Sequence, residues 1–389
     1  MTTPMIYFDN SATTPVCPEA IDAFTLACTA QFGNPSSRHQ FGREAAAALK
    51  QAKEQVMAAL GVRDGMILFT SGGTEANNLA ILGRAEAKPR LAGGSIITSE
   101  GEHASVSEPL AYLEKKGYRV VKIPTTNGAL QLDTLTPQLT SKILLATVMA
   151  TNNETGACYD IATLSKMVKS ASRDAVVHTD ATQAFLKIPL PLRQMGVDMV
   201  TISGHKIGAP KGIGCLWISS DMIRTRGLSP RHIGGGQEGD LRSGTENMPG
   251  ILAFAAACTA KRKQMEADLA HVCHLRQSLI DQLKTFPEVS LHLPERPAPH
   301  ILSLAVEGLP SETLLNFLSM HGVCVSAGSA CASNSHHTQL SEALLAFGLS
   351  EKEAKSTIRV SFSPHNTTEE VNRFVSILQD GIKTLYRKH

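Results

Sequence analysis

Between residues 60 and 220 the chain switches repeatedly from a short apolar run to a helical stretch and back. The apolar runs lie at 66–70, 95–99, 120–123, 143–149, 175–179, 199–203 and 213–218. Most are continuous and do not alternate with polar residues, the pattern of strands covered on both faces. Residues 75–87, 105–116 and 161–172 read as helices between them. Such a chain folds as α/β, a mainly parallel sheet joined by crossover helices. A helix over 42–60, rich in Ala, Lys and Glu, precedes the first run and stops at Gly61.

After residue 220 the texture changes. Residues 225–250 are polar and hold Gly234, Gly235 and Gly236, which reads as a functional loop. One long helix is expected over 251–286, broken near Pro287. Beyond it, short strands at 301–306, 323–326 and 358–362 mix with helices at 311–321, 341–347 and 368–385. That mixture predicts a smaller α+β unit. At 389 residues and 42% hydrophobic content the chain can bury two cores. Thirty-seven basic residues against 35 acidic leave a net charge of +2. That balance does not favour a nucleic-acid or membrane-surface partner. No apolar run reaches a membrane span, and the first ten residues do not read as a secretory signal. The eight cysteines contain no C-x-x-C pair, so zinc and thioredoxin chemistry are disfavoured and a reducing cytoplasm is expected.

Three segments carry chemistry, each after an apolar run. Thr70-Ser71-Gly72-Gly73-Thr74-Glu75 leads into a helix, and its glycines, helix-start amides and Thr74 hydroxyl suit a phosphate. It suits an ordinary capped turn as well. Its spacing is neither the dinucleotide nor the NTP fingerprint. Asp180, in His178-Thr179-Asp180-Ala181-Thr182-Gln183, is a carboxylate at the end of a buried strand. It can cap the next helix or face a protonated ring nitrogen. Lys206, in Ser203-Gly204-His205-Lys206, is a surface lysine or an amine nucleophile in a cleft. Together the three offer handles for the phosphate, the pyridinium and the aldehyde of pyridoxal 5′-phosphate (PLP).

With these segments stand Tyr7 to Pro15, Gly33-Asn34-Pro35-Ser36-Ser37, Asn152-Asn153-Glu154-Thr155-Gly156, Gly234 to Glu238, Arg242 to Asn247, Ser326 to Cys331 and Ile358-Arg359-Val360-Ser361. On these stretches, spread from residue 7 to 361, the chain resembles the class V group of fold-type-I PLP enzymes. Within that group it resembles the cysteine desulfurases of the NifS/IscS kind. The resemblance implies an α/β fold with a mainly parallel seven-stranded sheet in a large domain, 15–260. A smaller α+β domain, 1–14 with 261–389, would carry the cysteine loop. It implies that Lys206 holds PLP, Asp180 pairs with the pyridinium nitrogen and His103 stacks on the ring. Gln183 and Asn153 would contact the phenolic oxygen. Gly73, Thr74, Ser203 and His205 would bind phosphate, joined by Thr245 from a neighbouring subunit in a homodimer. Arg359, with Asn34 and Asn153, would hold the substrate carboxylate.

Cys331 lies among small residues, Ala327-Gly328-Ser329-Ala330-Cys331-Ala332-Ser333. The resemblance gives it the attack on substrate sulfur and a persulfide that passes to an acceptor protein, for iron–sulfur clusters or tRNA thiolation. The implied reaction is L-cysteine to L-alanine. Selenocysteine lyase and a class V aminotransferase are the rival readings. Cys324 stands beside the loop, and the other cysteines read as structural. His336 and His337 read as polar loop residues, so no metal is expected. The loop sequence Asn334 to Gln339 departs from the commoner family form. So does Cys158-Tyr159, which stands where Gln-Pro is usual.

Overall fold

The seven apolar runs form one sheet. In the computed structural model, which describes residues 5–327 and 340–386, its spatial order begins Met66–Thr70, Gly214–Ile218, Met199–Ser203 and Val176–Asp180. Ile143–Thr147, Ser95–Ser99 and Arg119–Ile123 complete it. Neighbouring strands pair in parallel except at Gly214–Ile218, which is antiparallel to both of its neighbours. Residues 204–213 are too few to cross back through a helix, so the chain can only return antiparallel. The sheet is therefore mainly parallel and seven-stranded, as expected.

Helices cover both faces. Val56 of Gln40–Leu60, Leu164 of Ile161–Ala171 and Phe254 of Met248–Leu283 pack on one face. Leu79 of Gly73–Ala87 and Leu110 of Ala104–Lys115 pack on the other. Gln40–Leu60 ends as predicted at Gly61, whose φ of +70° is open to glycine at little cost. The long helix begins at Met248, earlier than the periodicity indicates, because the Asn247 side chain accepts from the Gly250 amide and caps it.

A second, antiparallel sheet runs Val289–His292, Ile301–Val306, Thr357–Ser361 and Ser326–Ala327. Its apolar face packs with helices Ser311–Met320 and Thr368–Tyr386 and with the second half of the long helix. The N-terminal segment enters this core. Phe8 is fully buried and meets Phe362 and Phe374 edge-on, with ring centroids 5.2 and 5.7 Å away. The expected single strand at 323–326 is two short pieces in different sheets. Val323–Cys324 pairs with Ile6–Tyr7, and Ser326–Ala327 pairs with Thr357–Ser361. The helix Pro18–Thr29 and the strands Ile6–Tyr7 and Val289–His292 were not legible in the apolar pattern.

One buried cation ties the large core together. Arg84 is 2% exposed and donates to three backbone carbonyls, those of Leu144, Asp174 and Gly227. Burial lowers its pKa to about 10, and the charge persists at neutral pH. Arg84→Leu would strand those carbonyls without donors. We expect a loss of about 3 kcal/mol of stability in urea unfolding.

Candidate active site

The C-terminal ends of the parallel strands open into a cavity of about 720 Å³, the place where sheets of this type hold ligands. The segments that follow five of the sheet's strands, the N-terminal segment and the second sheet supply its polar groups.

The turn after Met66–Thr70 makes one end. Helix Gly73–Ala87 has Gly72 at its N-cap, with φ +156° and ψ −175°, so no side chain caps its first amides. Strand Gly214–Ile218 passes close beneath. A Cβ at Gly214 would lie 2.8 Å from Gly72 Cα and 2.6 Å from the Ile202 carbonyl. Gly73, Thr74, Ser203 and His205 line this end. Burial, and then the charges of Lys206, Lys211 and Lys187, pull the His205 pKa down to about 4, leaving a neutral ring. Uncapped amides, two hydroxyl side chains and Lys211 together suit a phosphate dianion.

Asp180 is the last residue of its strand and is buried. One carboxylate oxygen accepts from Asn77 Nδ2 at 2.7 Å, the other from the Thr182 amide at 2.9 Å. His103 is the N-cap of Ala104–Lys115, and its Nδ1 accepts from the Ser105 amide at 3.1 Å. Nδ1 therefore carries no proton, and the neutral ring holds its proton on Nε2. Burial lowers its pKa and favours that neutral form. Lys206 closes the short turn Gly204–Lys206 and donates to the carbonyls of Ser11 at 2.6 Å and Ala12 at 2.7 Å. Gln183 Nε2 donates to the same Ser11 carbonyl at 2.9 Å.

Arg359 arrives from the second sheet. It is 6% exposed, donates to Asp9 Oδ1 and the Asn153 carbonyl at 2.8 Å each, and leaves its buried Nε without a partner. A guanidinium whose plane is held by two such contacts at a cavity wall suits a carboxylate. Asn153 lines the cavity beside it. Asn34 and Thr245 are exposed, and neither lines the cavity within the chain. Cys331, His336 and His337 lie outside the described residues. No group of three metal-binding side chains occurs among the described residues. Sequence reasoning missed Asp9, Asn77 and the two carbonyls that hold Lys206. Asn77 sits one helical turn beyond Gly73, a spacing that places it on the cavity side.

Glu102 was missed too. Its carboxyl accepts from the Met149 amide at 3.0 and 3.2 Å and from the Ser99 hydroxyl. Burial raises its pKa to about 8, against an ordinary 4.5. Between those values the unfolded chain releases a proton that the folded chain keeps, so stability falls as pH rises. Glu102→Gln removes that slope. In urea melts from about pH 5 to about pH 8.5, the variant's stability relative to wild type should climb with pH.

The class-V aminotransferase family matches residues 6–374. A cysteine desulfurase of Trichormus azollae is 38% identical over 98% of this chain and 94% of its own length. The solved structure of a NifS-like protein superposes with a TM-score of 0.90 at 32% identity, covering 98% of this chain and all of that one. A structure titled SspA in complex with cysteine gives a TM-score of 0.79 at 31% identity, over 93% of this chain and all of that one. The chain thus belongs to the class-V aminotransferase family of PLP-dependent enzymes, and within it to the NifS-like cysteine desulfurases.

Proposed function

We propose that this protein converts L-cysteine to L-alanine and takes the sulfur onto Cys331 as a persulfide for an acceptor protein. The observation that carries the reading is the convergence of Lys206, Asp180, His103 and Arg359 on one cavity. The residues present fit PLP. The uncapped start of Gly73–Ala87 would take its phosphate, Asp180 its ring nitrogen, and Lys206 its aldehyde. Gln183 and Asn153 would flank its phenolic oxygen, with His103 against its face. Bound PLP supplies an electron-withdrawing ring that loosens bonds at the substrate Cα.

The chain's own groups do the rest. Asn77 and the Thr182 amide both donate to Asp180 and hold its carboxylate in place opposite the ring nitrogen. Arg359 meets the substrate carboxylate at the cavity wall while Asp9 and the Asn153 carbonyl keep its plane fixed. Released from the Ser11 and Ala12 carbonyls, the Lys206 amine can move a proton at Cα. His103 offers its Nε2 proton near the substrate thiol.

The reading includes a homodimer in which Thr245 reaches the neighbour's phosphate end. Its exposed position supports this, as do the exposed apolar side chains Ile21, Leu26, Phe32 and Ile233. It also divides the chain into a cofactor domain, 15–260, and a smaller domain, 1–14 with 261–389; the separate apolar clusters support that division. The acceptor serves iron–sulfur cluster assembly or tRNA thiolation. We place the enzyme in the cytoplasm, and the seven described cysteines, all unpaired, suit reducing conditions. No helix among the described residues is long and apolar enough to cross a membrane.

Alanine release from L-cysteine and L-selenocysteine, with wild type beside Cys331→Ala, tests the reading. The variant should lose about a hundredfold or more of its cysteine activity. Cysteine activity retained in Cys331→Ala would remove the persulfide step, and a wild type active only on selenocysteine would make the protein a lyase. Arg359→Lys should raise KM for cysteine about tenfold or more while the cofactor's absorbance stays unchanged.

A further inference from the structure

Lys187 takes no part in the reaction described above, yet it holds one of the groups that does. Its Nζ donates to Gln183 Oε1 at 3.0 Å, and Gln183 Nε2 donates to the Ser11 carbonyl at 2.9 Å. Gln183 is 4% exposed, so each end of its amide depends on such a partner. The two partners belong to different spaces. Ser11 lines the catalytic cavity, whereas Lys187 lines a second cavity of about 130 Å³ among Leu186, Met265, Leu269 and Phe362. The backbone bends to allow this. Leu186 has a φ of +56°, in the left-handed region that a bulky side chain rarely adopts, and the turn it makes returns Lys187 to Gln183.

An amide has a donor end and an acceptor end. Reversed, Gln183 would set its oxygen against the Ser11 carbonyl, two acceptors with no proton between them. Lys187 gives that oxygen a donor on the far side, which leaves the donor end toward the catalytic cavity. Nε2 spends one hydrogen on Ser11 and keeps a second. We infer that Lys187 is a positioning residue: it fixes the Gln183 amide so that an N–H, and not the oxygen, faces the phenolic oxygen of bound PLP. The inference rests on the reading that Gln183 meets that oxygen. Cys17, Lys206, Lys261, Asp268, His300 and His365 are the titratable groups that line the second cavity with Lys187, and Arg359 acts on it from the second sheet. Burial, followed by the charges of Lys206, Lys261 and Arg359, pushes the Lys187 pKa well down and favours the uncharged amine. An amine keeps N–H groups to donate, so the contact does not require an ammonium.

The test follows the cofactor's visible band across pH in the holoenzyme, with PLP added to saturation. Wild type, Lys187→Met, Gln183→Met and the double variant are compared. Methionine is nearly as long as lysine and suits the apolar neighbours. A donor on the phenolic oxygen favours the deprotonated cofactor, so its loss raises the midpoint of the band. Gln183→Met and Lys187→Met should each raise that midpoint by about half a pH unit. The double variant should match Gln183→Met, because Lys187 acts through that amide. If Lys187→Met raises the midpoint just as much in the Gln183→Met background, the lysine acts by charge alone and the inference fails. A Lys187→Met midpoint equal to wild type, with Gln183→Met shifted, also overturns it and leaves the phenolic contact standing. An unshifted Gln183→Met removes that contact and the inference with it. Should Lys187→Met not fold, Lys187→Leu carries the same expectations.

Discussion

The ion pair between Arg359 and Asp9 closes across 350 residues of sequence, and the site is assembled around it. Arg359 is centred in a strand of the second sheet, and Asp9 belongs to the N-terminal segment that runs between the two sheets. Four consecutive residues of that segment address different parts of the molecule. Asp9 holds the guanidinium, Asn10 donates to the Ser361 carbonyl, and Ser11 and Ala12 turn their carbonyls to Lys206. A buried guanidinium without its carboxylate would be strongly unfavourable. Docking of the segment and placement of both cationic side chains are therefore one event.

Positive charge gathers at this seam. Lys206, Lys211 and Arg359 line the catalytic cavity, and Asp9, Glu75 and Asp180 are the acids that face them. Two of those acids are already committed, Asp9 to Arg359 and Glu75 to Arg242. Glu75 is bound to Arg242, which anchors the loop before the long helix to the start of Gly73–Ala87. The catalytic cavity thus attracts anions overall while keeping one carboxylate, Asp180, where a cationic ring nitrogen would sit.

Much of this was legible in the residues. Continuous apolar runs exposed the parallel sheet, because strands buried on both faces have no room for alternation. Glycine pairs and strand-end polar residues exposed Gly73, Asp180, Ser203 and Lys206, since each sits at a fixed offset from an apolar run. What stayed hidden depends on distant partners. Nothing near Asp9 in sequence announces Arg359, and nothing near Asn77 announces Asp180. The carbonyls of Ser11 and Ala12 carry no side-chain signature at all. The two short strands at 323–327 were merged because their separation lies in which sheet each joins, a tertiary choice. Asn34 and Thr245 are exposed and do not line the cavity.

The burial of Phe8 among Phe362 and Phe374 has a consequence for how the molecule is made. A ribosome releases residues 5–13 before the central sheet and the helix Thr368–Tyr386 after it. The central sheet needs nothing beyond the long helix, so it can condense while synthesis continues. Residues 5–13 have to wait, unpaired, until Phe362 and Phe374 have emerged. Throughout that interval Lys206 lacks its carbonyl partners, and the guanidinium that completes the cavity does not yet exist. Birth order thus makes the catalytic seam close after the central sheet has formed.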